Sequence, residues 1–315
     1  MTTTTTTTTT GALEPAAIAG AGRPTHVPKS YWRESWERLR ANRVGMIAGG
    51  VILCFGLIGV LAPLISTYVT HFDPNRQVLQ DQFAGTSARH WLGTDELGRD
   101  TLTRLIYGAQ ISYLIGFLTV GLFLTIGSTV GIVSGFYGGL VDRVLGRAID
   151  MLLAVPTFYL LVLISATHPF GLTTNKPVPL AVVLALLGWG GTARLVRGEV
   201  LSVKQRDFIL ATRSVGASSL RIMVRHILPN VAAVMIIVAS LGVGGVILAE
   251  AGLDFIGLGI VPPTPTWGNM LNNAQSYFYH STLLVLAPGL MIFIAVLCFN
   301  LFGNAVRDAL DPRLR

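Results

Sequence analysis

Charged residues are scarce in this chain. Asp, Glu, Lys and Arg make up 12% of its 315 residues, whereas an ordinary soluble domain carries about 25%. Hydrophobic residues make up 51%, and the mean hydropathy is +0.61. So little charge leaves too few solvated groups to cover a water-exposed surface. The composition therefore predicts a protein whose surface faces lipid.

Catalytic and metal-binding motifs are missing as well. No Gly-Lys pair occurs, so the chain has no phosphate-binding loop of the Walker A type, and it has neither an H-E-x-x-H nor a G-x-S-x-G motif. Cys54 and Cys298 lie in apolar runs, and the six histidines are scattered. We expect no catalytic site, no metal site and no cofactor bound by this chain.

The apolar runs contain almost no ionisable residues. A proton-coupled carrier needs a relay of Asp, Glu or His across the bilayer, and a voltage sensor needs a row of arginines. The runs show neither pattern. The net charge of +7 is explained by basic loops on the cytoplasmic side of a membrane, so we expect no nucleic-acid partner.

Long apolar runs are the dominant positive feature. A run of about 20 apolar residues is long enough to cross a bilayer as a helix. The sequence therefore predicts an all-α integral membrane protein with six transmembrane helices in contact with membrane lipid, at residues 44–65, 111–133, 151–167, 178–193, 231–249 and 283–302.

Basic residues set the expected orientation, because they collect in cytoplasmic loops. Arginines precede the first run, and the segment 194–230 is rich in Lys and Arg. Both termini are therefore predicted to be cytoplasmic, in a multi-pass protein of the bacterial inner (plasma) membrane. The predicted order is a disordered Thr-rich tail (1–30), a juxtamembrane helix (31–43), the first span (44–65), an extracytoplasmic loop (66–110), a core (111–304) with a long cytoplasmic loop (197–230), and a cytoplasmic tail (305–315).

The long cytoplasmic loop has the pattern of two short amphipathic helices. Phe208, Ile209 and Thr212 have the spacing of one helical face. A second face is formed by Leu220, Met223, Val224 and Ile227, and Gly216 lies between the two segments. Such helices pack on a membrane surface or dock into a groove of a partner protein. The residues alone leave both alternatives open.

Three segments, in order, resemble the permeases of ATP-binding-cassette (ABC) importers in the peptide and nickel branch. Residues 210–229 follow the family's coupling-loop pattern, with Leu210-Ala211-Thr212 in place of Glu-Ala-Ala. LGTDELGRDTLTRLIYGAQIS (92–112) resembles the LGTDxxGRDxxSRxxxGxRxS signature. EAGLDFIGLGIVPPTPTWGNML (250–271) resembles EAxLSFLGLGxxPPxPSWGxML, with Asp254 and Thr266 at two serine positions.

The resemblance implies a type I ABC-importer transmembrane domain and a set of partners. It suggests the second permease of dipeptide and oligopeptide systems, paired with a homologous permease, two ATP-binding subunits (or one fused pair) and an extracytoplasmic binding protein. ATP and Mg would be bound by the partner subunits. The alternatives are nickel or another small solute as cargo, or a gradient-driven carrier. The expected ATPase-coupling residues are Asp207, Phe208, Ala211, Gly216, Leu220, Leu228 and Pro229.

Two external groups of residues follow from the other matching segments. The external signature consists of Gly93, Thr94, Asp95, Gly98, Arg99 and Asp100. We expect its charges to form exposed ion pairs that order the external loop; contact with the binding protein is the alternative. The outer turn consists of Glu250, Pro262, Pro263, Trp267 and Gly268. It is expected to be an interfacial turn, with Trp267 at the membrane surface, or a gate beside the substrate path.

Overall fold

The structure is a computed structural model that describes residues 31–169, 174–272 and 274–311. The tail 1–30, which the sequence predicts to be disordered, lies outside the described residues. Within the described ranges almost all regular structure is helical, and β pairing is limited to a single bridge between Thr94 and Asp100. The prediction of an all-α protein is confirmed.

Twelve α-helices follow one another along the described chain. A short π-helical turn at Ser66–Thr70 follows the third helix, and another at Met223–Ile227 joins the ninth helix to the tenth. The helices are α1 Tyr31–Ala41, α2 Arg43–Val60, α3 Ala62–Ile65, α4 Thr101–Tyr137, α5 Gly139–Ala154, α6 Thr157–Thr167, α7 Pro177–Lys204, α8 Asp207–Ser214, α9 Ser219–Ile222, α10 Leu228–Phe255, α11 Ala274–Tyr277 and α12 Leu283–Leu310.

Five helices are long and apolar enough to cross a membrane: α2, α4, α7, the continuous run from α9 to α10, and α12. A sixth span requires α5 and α6 together, and these two helices meet at 78°. The predicted run 151–167 is helical in α6 for 11 residues only, or about 16 Å, against about 30 Å of hydrocarbon. Pro156 interrupts the run, because proline disfavours a helical residue before it.

Two expected boundaries shift in the structure. Helix α4 begins at Thr101, so the predicted external loop 66–110 ends at Asp100. Helix α7 continues to Lys204, well past the expected start of the long loop at 197. In both places the helix extends beyond its apolar run because polar side chains stabilise the extension. Asp100 caps the start of α4, and Arg197 on α7 pairs with Asp142 on α5.

The helix pairs define two ends of the bundle. Helices α4 and α7 run in the same direction, since Gly127 faces Thr192 and Gly135 faces Val200. Helix α10 runs against α4, since its Glu250 contacts Ser112. Residues 92–104 and 254–271 therefore lie at one end, which we call the signature end. Residues 205–228 lie at the other, which we call the loop end.

Both ends of the described chain meet at the loop end. The Tyr31 hydroxyl on α1 donates a 2.8 Å hydrogen bond to the Leu310 carbonyl at the end of α12. Leu39 of α1 is buried against the last turns of α12. This proximity agrees with an even number of spans. Which side of the membrane this end faces stays a prediction.

Candidate functional site

The start of the long loop is a short helix closed by glycine. Helix α8 ends in a Schellman motif, in which Gly216 N–H donates to the Arg213 carbonyl at 3.0 Å and Ala217 N–H donates to the Thr212 carbonyl at 3.3 Å. Gly216 has φ +78°, and a Cβ at this position would meet no atom within 4 Å. Glycine is therefore favoured here by backbone conformation and not by lack of space.

Three isoleucines attach the loop to the bundle. Ile209 on α8, Ile222 on α9 and Ile227 before α10 are almost fully buried. They pack with Val196, Val200 and Val203 of α7 and with Ile132 and Phe136 of α4. Full burial of such a side chain contributes about 1.5–3 kcal/mol. The loop therefore forms a fixed part of the structure.

Each of the two predicted amphipathic faces has a part that is buried against the bundle and a part that is exposed. Ile209 points into the bundle while its neighbour Phe208 is 40% exposed. Likewise Met223 and Ile227 are buried while Leu220 and Val224 are 67% and 55% exposed. Each predicted face is therefore partly buried, because Ile209 in the first and Met223 and Ile227 in the second anchor the loop to α4 and α7.

The remaining apolar residues form an exposed surface, which we call the coupling surface: Phe208, Leu210, Val215, Leu220 and Val224. Exposed arginines accompany it at Arg206, Arg213, Arg221 and Arg225. A cluster of large exposed apolar side chains rimmed by charge is characteristic of a binding surface. The expected coupling residues Asp207, Ala211, Leu228 and Pro229 are also exposed at this end.

The coupling surface is connected to the far end of the bundle through α4. The Arg213 guanidinium lies over the Phe136 ring at 5.6 Å, and the Lys204 ammonium lies over the same ring at 5.9 Å. Phe136 is the penultimate residue of α4. Because α4 is a single helix of 37 residues, about 55 Å long, it reaches from α8 to the signature end.

The external signature forms a buried ionic network. The Asp95 carboxylate accepts from Arg99 Nε at 2.7 Å, and Arg104 Nε lies 3.4 Å from the same oxygen. Arg99 Nη2 also donates to Glu96 at 2.8 Å. Asp95, Arg99 and Arg104 are each less than 10% exposed. The prediction of exposed pairs was wrong, since the outer turn and the preceding loop cover the network.

The signature also starts α4. Asp100 Oδ2 accepts from Thr103 N–H at 2.8 Å, and Asp100 Oδ1 lies 2.9 Å from His90 Nδ1. The first contact is an N-cap, which satisfies an otherwise free helical amide. Gly93 and Gly98 both have positive φ, and a Cβ on Gly98 would overlap the Val78 carbonyl. These contacts favour the structural interpretation of the signature.

The outer turn is packed against α4. Trp267 is fully buried, and its indole N–H donates to the Leu105 carbonyl at 3.0 Å. A Cβ on Gly108 would come within 2.7 Å of this ring, and one on Gly268 would come within 2.6 Å of Ala251. Trp267 therefore packs inside the bundle and does not present its ring to lipid, and its level in the membrane stays a prediction. Pro262 lines a cavity of about 160 Å³ between the turn and the ionic network, and its neighbour Pro263 belongs to the same turn.

Two carboxyl groups lie behind the outer turn. Glu250 and Asp254, one helical turn apart on α10, are 0% and 1% exposed. Ser112 donates to Glu250 at 3.2 Å, and Thr266 and the Ile260 N–H donate to Asp254. Glu250 was expected at the end of its span, and no role was predicted for Asp254. The replacement of the family's serine by Asp254 is the sequence signal that points to this buried pair.

Comparison with known proteins decides the family. Residues 127–315 match the family model described as the inner membrane component of binding-protein-dependent transport systems. Residues 30–84 match the N-terminal transmembrane domain of oligopeptide transport permease C.

The chain belongs to the binding-protein-dependent permease family.

Relatives in this family match over almost the whole chain. The dipeptide transport system permease protein DppC of Alkalihalophilus pseudofirmus is 38% identical over 91% of this chain and 91% of its own length. The glutathione transport system permease protein GsiD of Pectobacterium atrosepticum is 38% identical over 91% and 93%. The family consists of membrane permease components of ABC importers and not of enzymes. The chain is thus an ABC-importer permease of the bacterial inner membrane.

A solved structure shares the fold. An inward-facing conformation of the MetNI methionine ABC transporter superposes with a TM-score of 0.52 at 17% identity, over 67% of this chain and 97% of that chain. The fold of an ABC-importer transmembrane domain is thereby confirmed. The three matching segments thus lie at the two ends of this family's fold. The signature and the outer turn pack together at one end, and the expected coupling residues are grouped at the other.

Proposed function

We propose that this chain forms, with a second homologous permease, the pathway through which short peptides cross the membrane. Two ATP-binding subunits (or one fused pair) supply the energy, and an extracytoplasmic binding protein delivers the peptide. ATP and Mg are bound by those partners, and this chain binds no cofactor. The names of the relatives, which transport dipeptides and glutathione, support di- and oligopeptides as cargo.

The coupling surface is the observation on which this proposal rests. Its apolar residues are exposed on helices that are themselves anchored in the bundle by Ile209, Ile222 and Ile227. A partner that pushes on α8 and α9 therefore moves α4 and α7 with them. Closure of two ATP-binding subunits would be converted in this way into a rigid-body movement of the spans. That movement would switch the pathway between its two openings.

Two alternatives stay open for the cargo and the energy source. The same machinery could import nickel or another small solute. A gradient-driven carrier is the other alternative, and the buried Glu250 and Asp254 are the residues that could favour it. One carboxyl pair near the signature end is not a relay across the bilayer, so the ATP-driven importer is the better explanation.

Uptake into vesicles separates these possibilities. The full complex would be reconstituted into vesicles with the binding protein either inside or outside. Labelled dipeptides, tripeptides and nickel would be added on the side that contains the binding protein. We expect peptide accumulation that requires ATP on the side of the coupling surface. Accumulation driven by a proton gradient without ATP would contradict the proposal. ATP-dependent uptake of nickel and not of peptides would contradict the proposed cargo and leave the ATP-driven importer in place.

A further inference from the structure

Helix α5 lies between two bends of the chain. It follows a turn that we call the glycine bend, Gly138 and Gly139, whose φ angles are +69° and +54°. A Cβ on Gly139 would meet no atom within 4 Å, and one on Gly138 would meet only the Lys204 ammonium, at 3.8 Å. At its other end α5 meets α6 at 78°, with Pro156 at the break. The glycine bend therefore has the space and the backbone freedom that a hinge requires.

Helices α4, α7 and α10 are packed against one another without such freedom. A Cβ on Gly131 of α4 would come within 2.7 Å of the Ala193 carbonyl oxygen of α7, so these two backbones are in direct contact. Val196 of α7 is fully buried beside this contact. On α10, Val243 packs against Gly116 of α4, where a Cβ would lie 3.1 Å from the Val243 Cγ1 atom. Close-packed surfaces of this kind transmit movement, so we expect the three helices to move as one body.

Helix α5 is joined to α7 through the ends of long side chains. The Arg197 guanidinium donates to both oxygens of the Asp142 carboxylate, from Nε at 2.5 Å and from Nη2 at 2.7 Å. Arg194 Nη2 lies 2.5 Å from the Asp150 carboxylate. Arginine side chains are flexible, and water solvates both partners when such a pair opens. These two pairs can therefore open and re-form, unlike the backbone contact between α4 and α7.

Asp142 is the centre of this connection. Besides the two bonds from Arg197, its carboxylate accepts a 2.5 Å hydrogen bond from the Ser134 hydroxyl of α4. Asp142 lies in the first turn of α5, next to the glycine bend. One carboxylate therefore fixes the start of α5 to both α4 and α7. Replacing it would release this turn from both helices at once.

The coupling surface acts first on the close-packed helices. The buried cluster around Ile209 and Ile227 includes residues of α4, α7 and the start of α10. A push on the coupling surface therefore moves these three helices through buried contacts. It reaches α5 through the contacts of α5 with α7 and through the glycine bend.

We propose that α5 is a latch that pivots at the glycine bend when the pathway switches between its two openings. In the closed position, which this structure shows, the Asp142–Arg197 and Asp150–Arg194 pairs hold α5 against α7. In the other position the pairs are separated, while α4, α7 and α10 stay packed. The inference rests on the proposed function, because closure of the ATP-binding subunits supplies the movement.

Disulfide crosslinking in the full complex tests the latch. A Cβ on Gly190 of α7 would lie 3.3 Å from the Leu153 Cγ atom of α5, so Leu153→Cys/Gly190→Cys places two cysteines within reach of a disulfide. The native Cys54 and Cys298 would be replaced by alanine. The disulfide yield would be measured by mass spectrometry in the nucleotide-free complex and in the complex held by a non-hydrolysable ATP analogue. We expect yields that differ at least fivefold between the two states.

A matched cysteine pair controls for general changes in the bundle. Gly116→Cys/Val243→Cys joins α4 to α10 at a contact of similar distance, 3.1 Å. Its yield is expected to be the same in both states. Equal yields for the latch pair in the two states would overturn the inference. A change of the same size in the control pair would overturn it as well, and so would the absence of a latch disulfide in both states.

The role of the ion pair is tested by charge changes in the same crosslinking assay. Asp142→Asn is expected to lower the latch yield at least threefold in the state where it is higher, and the exchange Asp142→Arg/Arg197→Asp is expected to restore part of it. Asp308→Asn, on α12, should have no effect. An unchanged yield with Asp142→Asn would contradict the role of this pair. Peptide uptake by the wild-type complex is measured separately, and uptake that does not require ATP would contradict the proposed function instead.

Discussion

The two ends of the bundle are built in opposite ways. At the signature end, charged side chains such as Asp95 and Arg99 are buried and paired with one another. At the loop end, apolar side chains such as Val215 and Leu220 are 86% and 67% exposed. A buried ionic network whose members satisfy one another needs no partner. Exposed apolar residues on an anchored helix are stabilised only when another surface covers them.

The surroundings of one glycine at each end differ in the same way. Gly98 and Gly216 both have positive φ, +70° and +78°. A Cβ on Gly98 would overlap the Val78 carbonyl, whereas a Cβ on Gly216 would meet no atom within 4 Å. The first glycine is required by its own surroundings. The second leaves space that a partner subunit would occupy, so the two ends can be distinguished by substitutions.

Gly98→Ala is expected to have the largest effect on folding. The left-handed backbone alone costs about 1–2 kcal/mol for a residue with a Cβ, and the overlap with Val78 forces the backbone to move. We expect most of the protein to disappear from the membrane fraction. Gly85→Ala is the matched control, because Gly85 lies in the same loop with no atom near its Cβ position. Equal amounts of the two variants in the membrane fraction would contradict the prediction that the signature end has no room for a side chain at Gly98.

Asp95→Asn is expected to have the second-largest effect on folding. It leaves the buried Arg99 and Arg104 without the carboxylate between them, and breaking a buried pair costs about 3–5 kcal/mol. The melting temperature of the purified protein should fall clearly. Asp308→Asn, at an exposed position on α12, should leave it unchanged. A normal melting temperature for Asp95→Asn would show that the network contributes little.

Gly216→Trp should have a small effect on folding and a large effect on assembly. Its strain is about 1–2 kcal/mol, and the side chain has room in the isolated chain. We expect normal membrane insertion with loss of the ATP-binding subunits on purification. Gly216→Asn is the control, since asparagine tolerates the left-handed conformation and is small. Full transport by Gly216→Trp would show that no partner subunit needs the space beside Gly216.

Leu220→Asp is expected to change folding least. Exposed substitutions alter stability by within about 0.5 kcal/mol, so the melting temperature should be unchanged. Peptide uptake should nevertheless fall at least tenfold, about 1.4 kcal/mol, because a charge replaces an apolar contact with the partner. Leu79→Asp is the matched control at the signature end, where Leu79 is also 67% exposed. Similar peptide uptake by Leu220→Asp and Leu79→Asp would contradict the claim that only the loop end contacts a partner through exposed apolar residues.

Five of the six spans and the motif positions could be predicted from sequence because they depend on local composition, whereas the run 151–167 is broken at Pro156. Apolar runs indicated the helices, and Gly216 indicated a bend. The extent of α4 could not be predicted in this way, since its first turn is polar and is stabilised by the Asp100 cap. The length of an apolar run therefore underestimates the length of a helix whose end turns are polar and are stabilised by side-chain hydrogen bonds.

Burial was harder to predict than helix position. Asp95 and Arg99 have the composition of a solvated loop, and they are buried because the outer turn, distant in sequence, covers them. Trp267 has the composition of an interfacial residue, and it is buried because Gly108 lets α4 approach it. In both cases the decisive neighbour lies more than 150 residues away along the chain, where no periodicity can indicate it.

Site-specific photocrosslinking tests the assignment of the two ends most directly. A photoreactive phenylalanine would replace Leu220 in one variant and Leu79 in another, and each would be irradiated in the assembled complex that transports peptide. The expected result is a crosslink from position 220 to an ATP-binding subunit and none from position 79 to that subunit. A crosslink to an ATP-binding subunit from position 79, or only to lipid from position 220, would contradict the account.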